Sequence, residues 1–591
     1  MQRPSTSHRM RAAIMGMLGR LRYDHSILFV LAIGIGTLAG YGAIGFRLLI
    51  NAWGYLAFGA SEEQLIAGII RLPWWHMLLA PVAGGIVVAL LLKWFLPDGR
   101  PQGVSEVVES VALRDGRMDF RAALANAVSN ATALGFGSSV GREGPVVHLA
   151  AAIASFFSQR LHLSPAVMRT LVGCGVASGV AASFNAPIAG VIFALEVVVG
   201  HYALHAFAPI VVAGVAGTIV SRIHLGNFPA FTVPPLEIAS LWEFPAFGLL
   251  GILSAVGAIL FMQSIFWATD LRRHISSLPD WVFPPVGGAC VGIVAIWLPE
   301  VIGVGYEGTD SALKGSYGFG LLIALFLGKI ALTALCTAAR FGTGVFSPAL
   351  FTGAMLGGAF GVVTASMFPD FTSGPGVYAV VGMGAFASSV LGAPMSTILI
   401  VFELTGDYEV TMAVMVAAAL SSMITHFAYA PSFFLRQLER RGLNLESGKA
   451  SHLLKSTGTK AVMRTIFSTV PKSASIFEVR RHLVAQGGGK LMVVDENGAL
   501  TGIISFADLP EEAFDPDLNH LVRAAEIMRA NPAVIYASDT LESGLRMLER
   551  TGEHDLPVLS DTSARLVIGI LNHEDVLKAY NRALLDSQGK D

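Results

Sequence analysis

Charge is unusually scarce in this chain. Asp, Glu, Lys and Arg make up 14% of its 591 residues, against about 25% in ordinary soluble chains. So thin a supply excludes a wholly soluble protein of this length, and the 53% of hydrophobic residues points the same way. A net charge of −2 offers nothing to nucleic acid. Cysteine is nearly absent. Cys174, Cys290 and Cys336 lie in apolar segments with no neighbour at metal-ligand spacing, which excludes a disulfide framework and a metal centre built on thiols. Also missing is the short apolar core and small-residue site of a cleaved secretory leader. Instead Arg3, Arg9, Arg11, Arg20 and Arg22 precede the first acid, Asp24, so a cytoplasmic N-terminus is expected.

What is present is glycine, 64 of them, as suits close helix packing in lipid. Apolar stretches recur from 27–50 to 411–430, several of them too short for the ~20 residues of a full crossing. Gly and Pro interrupt them, so tilted and broken helices are expected. Charged residues are sparse to about Leu435 and dense afterwards, which predicts a membrane domain followed by a soluble one. The pivotal stretch is GFGSSVGREGPVVHLA, 135–150. Here Arg142 and Glu143 sit between glycines, and Pro145 starts a new helix. Ionisable groups at a helix break within apolar sequence mark a pathway or a site, and a fresh helix start attracts an anion.

Two repeats run through the chain. GVASGVAASFNAPIAGVIFALE (175–196) is echoed by GMGAFASSVLGAPMSTILIVFE (382–403), with Pro187 and Glu196 matched by Pro394 and Glu403. Upstream, GREGP around Pro145 is paired with GVFSP around Pro348. Interrupted segments in matching places of two halves are the mark of a repeat-built transporter, with the site where the breaks meet. Beyond Arg436, a basic cluster including Arg440, Arg441, Lys449 and Lys455 is again expected on the cytoplasmic side. LMVVDENGALTGIIS (491–505) and DLPVLSDTSARLVIGILN (555–572) then read as two hairpins, each preceded by a helical pattern and followed by an aspartate, Asp508 or Asp575.

These motifs resemble the CLC family of chloride channels and chloride/proton exchangers over about 27–440, and the C-terminal repeat resembles a pair of CBS domains. GREGP (141–145), FNAPIAGVIFALE (184–196) and GVFSP (344–348) carry the likeness. The resemblance implies an all-α polytopic membrane domain of two inverted repeats, followed by a cytoplasmic α/β CBS-domain pair. The expected layout is a basic tail over 1–26, a membrane domain over 27–440 with repeats of about 27–240 and 241–440, a linker over 441–457, and CBS modules over 458–520 and 521–585. It implies a homodimer in membrane lipid, expected in the inner cell membrane, that moves chloride or a similar anion without a required cofactor. The same resemblance makes Glu143 the gate. It places the anion against Gln102, Gly103, Arg142, Gly144, Val345, Phe346 and Phe434, with backbone amides as the main donors. It also admits an adenine nucleotide at the CBS pair, near Ser505 with Asp508 and Asn572 with Asp575.

Three departures from the family pattern bear on mechanism. PQGVSE (101–106) puts Gln102 where a serine hydroxyl usually contacts the anion. Phe434 falls at the usual tyrosine, with Tyr429 five residues upstream. Val197 follows Glu196 where exchangers carry a proton-accepting glutamate. A valine carries no proton, so a gated channel is favoured. Exchange by a non-standard route, through Gln102-bound water, Glu196 or His201, stays open as the alternative. A cation transporter would need grouped carboxylates, whereas Glu143, Glu196 and Glu403 are scattered, and no enzyme motif emerges.

Overall fold

The computed structural model describes residues 25–588 apart from 97–98, 201–203, 228–230, 232, 276–277, 444–453, 455–456, 486–488, 510–513, 516–518, 520 and 561–564. The basic tail up to Asp24, His201, Lys449 and Lys455 therefore lie outside the described residues. The chain divides into two units, Met1–Gly442 and Leu443–Asp591.

The first unit is helical throughout. Its first half runs α1 (His25–Phe58), α2 (Trp74–Phe95), α3 (Val104–Leu113), α4 (Phe120–Gly135), α5 (Glu143–Arg160), α6 (Pro165–Phe184), α7 (Pro187–Phe193, continued by a π turn over Ala194–Val199) and α8 (Leu204–Leu225). The second half runs α9 (Phe244–His274), α10 (Phe283–Ala295), α11 (Tyr306–Leu313), α12 (Phe319–Ala338), α13 (Phe346–Met367), α14 (Pro375–Leu391), α15 (Pro394–Thr405), α16 (Tyr408–Ala428) and α17 (Phe433–Glu439). Among the described residues, eight helices are long and apolar enough to cross a membrane, so this is a multi-pass membrane protein. The shorter apolar pieces, such as Pro187–Val199 and Pro394–Thr405, need packed neighbours to satisfy their ends.

Glycine sets how closely these helices approach. Where α13 crosses α14, a Cβ on Gly357 would lie 2.0 Å from the Tyr378 carbonyl oxygen, so nothing larger fits. Hydropathy alone misses α3, α4, α11 and α17. The cause is plainest in α4, whose interior face carries Asn126, Ser129, Asn130 and Thr132, all buried. A polar helix in lipid has to be wrapped by protein, and α4 is packed against α1, α2 and α5.

Two glutamates tie the halves together. The N–H groups of Ile188 and Ala189, at the start of α7, donate to Glu403 of α15 at 3.0 and 2.8 Å. Reciprocally, the N–H groups of Met395 and Ser396, at the start of α15, donate to Glu196 at 3.1 and 2.9 Å, and the Ser396 hydroxyl donates as well. Each repeat thus caps the other's broken helix with a carboxylate, satisfying orphan donors and the positive end of the helix dipole. Such reciprocity is what two halves related by a twofold axis produce. Glu196 is therefore a structural cap with both oxygens engaged.

The second unit holds two small sheets. In the first, β1 (Thr469–Pro471) pairs parallel with β2 (Leu491–Val494), which pairs antiparallel with β3 (Leu500–Ile504) and that with β4 (Arg529–Ala530). In the second, β5 (Ile535–Tyr536) pairs parallel with β6 (Asp555–Leu559), which pairs antiparallel with β7 (Val567–Asn572). The expected helices precede the hairpins, α18 (Ile476–Ala485) and α19 (Leu541–Thr551). The repeat is exact in detail: Val493 pairs Gly502, Val558 pairs Gly569, and the register shifts after each. Met492, Leu500, Ile503 and Leu559 share one apolar core, which joins the two modules.

The reciprocal caps predict a stability effect. Glu403→Gln weakens two charged hydrogen bonds and Glu196→Gln three, each worth about 1.5–3 kcal/mol before solvent offsets part of it. Each variant is expected to lower the unfolding temperature of purified protein, and Glu403→Asp to recover little because the shorter side chain falls short of α7. Unchanged unfolding curves would show the caps to be energetically idle.

Candidate anion site

The site lies where two helix starts face each other. The N–H groups in the first turn of α5 and of α13 have no acceptor within their own helix. At the crossing, Gly141 N–H donates to the Gly344 carbonyl at 2.8 Å. Gly344 has φ +122°, and a Cβ there would meet the Gly141 oxygen at 2.2 Å, so position 344 is closed to every side chain. Beside this crossing is a cavity of about 20 Å³, walled by Gly103, Gly144, Gly344, Val345, Phe346, Phe433 and Phe434. That is room for about one water-sized sphere, hence for one small ion. Among the described residues no cationic side chain is on its wall; its charged member is Glu106, paired with Arg441 at 2.6 Å. The available attraction comes from helix starts and backbone amides.

Of the residues expected at the site, Gly103, Gly144, Val345, Phe346 and Phe434 are on the wall. Phe433 joins them, its ring stacked on Phe266 at 5.2 Å. Gln102 and Arg142 are not on it. Gln102 is flanked by wall residues, but its N–H donates to Asn126 Oδ1 at 2.8 Å and its carbonyl accepts from Asn126 Nδ2 at 2.9 Å. Arg142 turns its guanidinium to Glu62 at 3.1 Å and to the Ser183 carbonyl at 2.9 Å, and covers the Tyr306 ring at 4.8 Å.

Glu143 is fully buried. Its Oε1 accepts from the Ser347 hydroxyl at 2.6 Å and lies 3.7 Å from Arg142 Nε, whereas Oε2 has no hydrogen-bond partner. The carboxylate thus rests against the first turn of α13, the helix start from the opposite repeat. The place the carboxylate occupies, at a helix start, also suits an anion.

Three supporting groups escape a reading by motif. Glu62, 8% exposed, holds Arg142 and so keeps that cation from neutralising Glu143 completely. Lys329, fully buried in α12, donates to the carbonyls of Val301, Gly303 and Val304 at 3.0, 2.8 and 3.3 Å, fixing the loop that leads to Tyr306. Asn126 and Asn130, one turn apart on α4, pin both cavity loops: Asn126 holds Gln102, and Asn130 Oδ1 accepts from Thr343 N–H at 2.9 Å. A lone lysine in an apolar helix and an Asn pair spaced by four were the available signals.

In the second unit, Ser505 N–H and hydroxyl donate to Asp508 at 2.7 and 2.6 Å, and Arg529 pairs with the same carboxylate at 2.9 Å. Asn572 donates to Asp555 at 2.7 Å. Arg464, hydrogen-bonded to Asp575, holds that carboxyl below the usual carboxylate range. Both aspartates expected to hold a ribose are engaged within the unit. Among the described residues no group of His, Cys, Asp and Glu is placed to hold a metal.

The asparagine staple yields a test. Asn126→Leu leaves the Gln102 N–H and C=O without partners, at about 1–3 kcal/mol. Chloride affinity by calorimetry is expected to fall roughly tenfold, the equivalent of about 1.4 kcal/mol, while Asn126→Gln recovers part of it. Parent-like affinity in Asn126→Leu would mean the loop holds its shape unaided.

Comparison with known proteins places this geometry. A family model described as the voltage gated chloride channel matches residues 84–426, and the CBS domain model matches 460–513 and 524–582. A ClcB-like chloride channel protein of Ralstonia nicotianae is 33% identical over 410 residues, 69% of this chain and 95% of that one. The H+/Cl− exchange transporter ClcA of Cronobacter sakazakii is 29% identical over 430 residues, 71% of this chain and 90% of that one. The solved structure of a eukaryotic CLC transporter shares the fold at a TM-score of 0.62 and 21% identity, over 95% of this chain and 98% of that one. With two helix starts meeting at a one-ion cavity and a buried glutamate beside it, this chain belongs to the CLC family of voltage gated chloride channels and carries a C-terminal pair of CBS domains.

Proposed function

We propose that the chain conducts chloride, or a small anion like it, passively through one path per subunit of a homodimer, with Glu143 as the gate. The observation that carries this reading is the inner side of the repeat motif. Position 197 is valine, and both oxygens of Glu196 are taken by the start of α15. Proton transfer needs a titratable group or a water chain within hydrogen-bond reach; Val197 is no titratable group, and Glu196 is engaged as a helix cap. In this reading Glu143 competes with the anion for the amides of the two helix starts, and leaves when protonated or displaced. Binding by partial charges alone is weak enough to release, as conduction requires.

A second reading, proton-coupled exchange, is favoured by one observation: relatives at 29% identity over most of the membrane unit are named H+/Cl− exchange transporters. The CBS pair belongs to the proposal as a regulator, with both termini on the cytoplasmic side. An adenine nucleotide binding there must exchange places with Arg529 at Asp508 or Arg464 at Asp575, since these pairs fill the positions now.

Reconstituted protein with an imposed chloride gradient separates the readings. Passive conduction predicts chloride flux with no uphill proton movement, and a reversal potential indifferent to a pH gradient. Glu143→Gln is expected to keep the flux and lose its pH dependence. Stoichiometric uphill proton transport by the unmutated protein would make the exchanger reading correct, and pH gating that survives in Glu143→Gln would remove Glu143 as the gate.

A further inference from the structure

The first unit contains a second cavity, about 380 Å³ in volume, more than ten times the space at the anion site. Six arginines line it: Arg100, Arg272, Arg273, Arg340, Arg440 and Arg441. The carboxylates on its wall are Asp270 and Asp280. Each is shared between two guanidiniums: Asp270 between Arg273 and Arg440, Asp280 between Arg272 and Arg340. Behind the wall, Glu106 pairs with Arg441 at 2.6 Å. Setting Arg100 aside, among the described residues five guanidiniums face three carboxylates, and the cavity carries an excess of positive charge.

These arginines are also held in place. Arg272 lies over the Phe283 ring at 4.6 Å and Arg440 over the Phe266 ring at 4.9 Å. Arg340 occupies the left-handed region at φ 58°, costly for a residue with a side chain, and donates to the Gly99 carbonyl at 2.7 Å while reaching Asp280. A guanidinium has five donors in a rigid fork that matches phosphate oxygens, and stacking on a ring fixes it in advance. The volume lies within the roughly 300–1,000 Å³ of small-molecule sites. Chloride, which the 20 Å³ cavity already suits, needs nothing so large.

We propose that this cavity is a binding site for a phosphate-bearing polyanion, and that its occupant closes one mouth of the anion path. Closure follows from shared walls: Pro101, Thr343 and Gln437 line both this cavity and the small one. A polyanion seated among the arginines stands between the small cavity and the surrounding water, and removes the positive field that draws anions toward it. The phosphate can come from a soluble polyphosphate or from a lipid headgroup. The half-exposed Ile275 and Leu278 on the same wall are compatible with acyl chains.

The test uses the full chain, purified in chloride-free detergent solution, with inorganic pyrophosphate in one arm and short-chain phosphatidic acid in the other. Phosphatidylglycerol, which has a single phosphodiester charge, is the lipid control. The expected result is a single saturable site for pyrophosphate, phosphatidic acid or both, weakened at least tenfold in Arg273→Gln/Arg440→Gln. The ligand should slow chloride flux in liposomes containing the parent but not the variant. Binding of pyrophosphate alone assigns a soluble source, and binding of phosphatidic acid alone assigns a lipid. Arg273→Glu, at a side chain 64% exposed, provides a second variant that leaves the packed arginines in place, and it is expected to weaken binding at least as much. Failure of both probes to bind overturns the proposal. So does binding that neither variant alters, which would place the polyanion elsewhere, for instance on the CBS pair.

Discussion

The membrane unit depends on one close contact, the crossing of Gly141 and Gly344. Their backbones approach so nearly that a Cβ on Gly344 would stand 2.2 Å from a carbonyl oxygen, and a hydrogen bond joins them. Only there can the starts of α5 and α13, one from each half, face the same small space. An anion in low dielectric needs compensation, yet a full cation on the wall would hold it too firmly to conduct. Partial charges from two helix starts meet both demands. Helix breaks, flanking glycines and the prolines that restart each helix all serve that meeting.

The same economy appears in how the unit treats its buried and half-buried charges. Arg142 is shared by Glu62, Glu143 and the Tyr306 ring. Lys329 is given three carbonyls and the face of Phe351, 5.0 Å away. Glu196 and Glu403 are each spent on the opposite repeat's helix start. Removing one partner from such a set strands the other, at about 3–5 kcal/mol for a buried pair. Glu62 and Glu143 each keep one oxygen without a hydrogen-bond partner, and of the two it is Glu143 that lies at a helix start.

Much of this was legible from the chain itself. The Gly–Pro breaks located both helix starts, the offset repeat predicted that they would meet, and the two hairpins with their preceding helices stand where the Asn-Gly turn and the alternating strands put them. Three things were hidden, each for a physical reason. The helix α4 is polar because it is wrapped by protein rather than lipid, so hydropathy passes over it. Gln102 and Arg142 were expected on the anion's wall because motif position was taken for side-chain direction. Asn126 holds the backbone of Gln102 and Glu62 holds the Arg142 guanidinium, partners that no motif names. Glu196 was read only as one alternative proton route, and its capping role was hidden because its partners at the start of α15 lie 199 and 200 residues away.

The central claim is that the anion and the Glu143 carboxylate occupy neighbouring places at the same pair of helix starts. The most direct measurement is anomalous diffraction from crystals grown in bromide, for the parent and for Glu143→Gln. The account predicts one bromide in the cavity walled by Gly344, Val345 and Phe346 in the parent, and a further bromide beside Ser347 once the carboxylate is neutral. An empty cavity in both crystals, or an identical pattern with no gain beside Ser347, would contradict it.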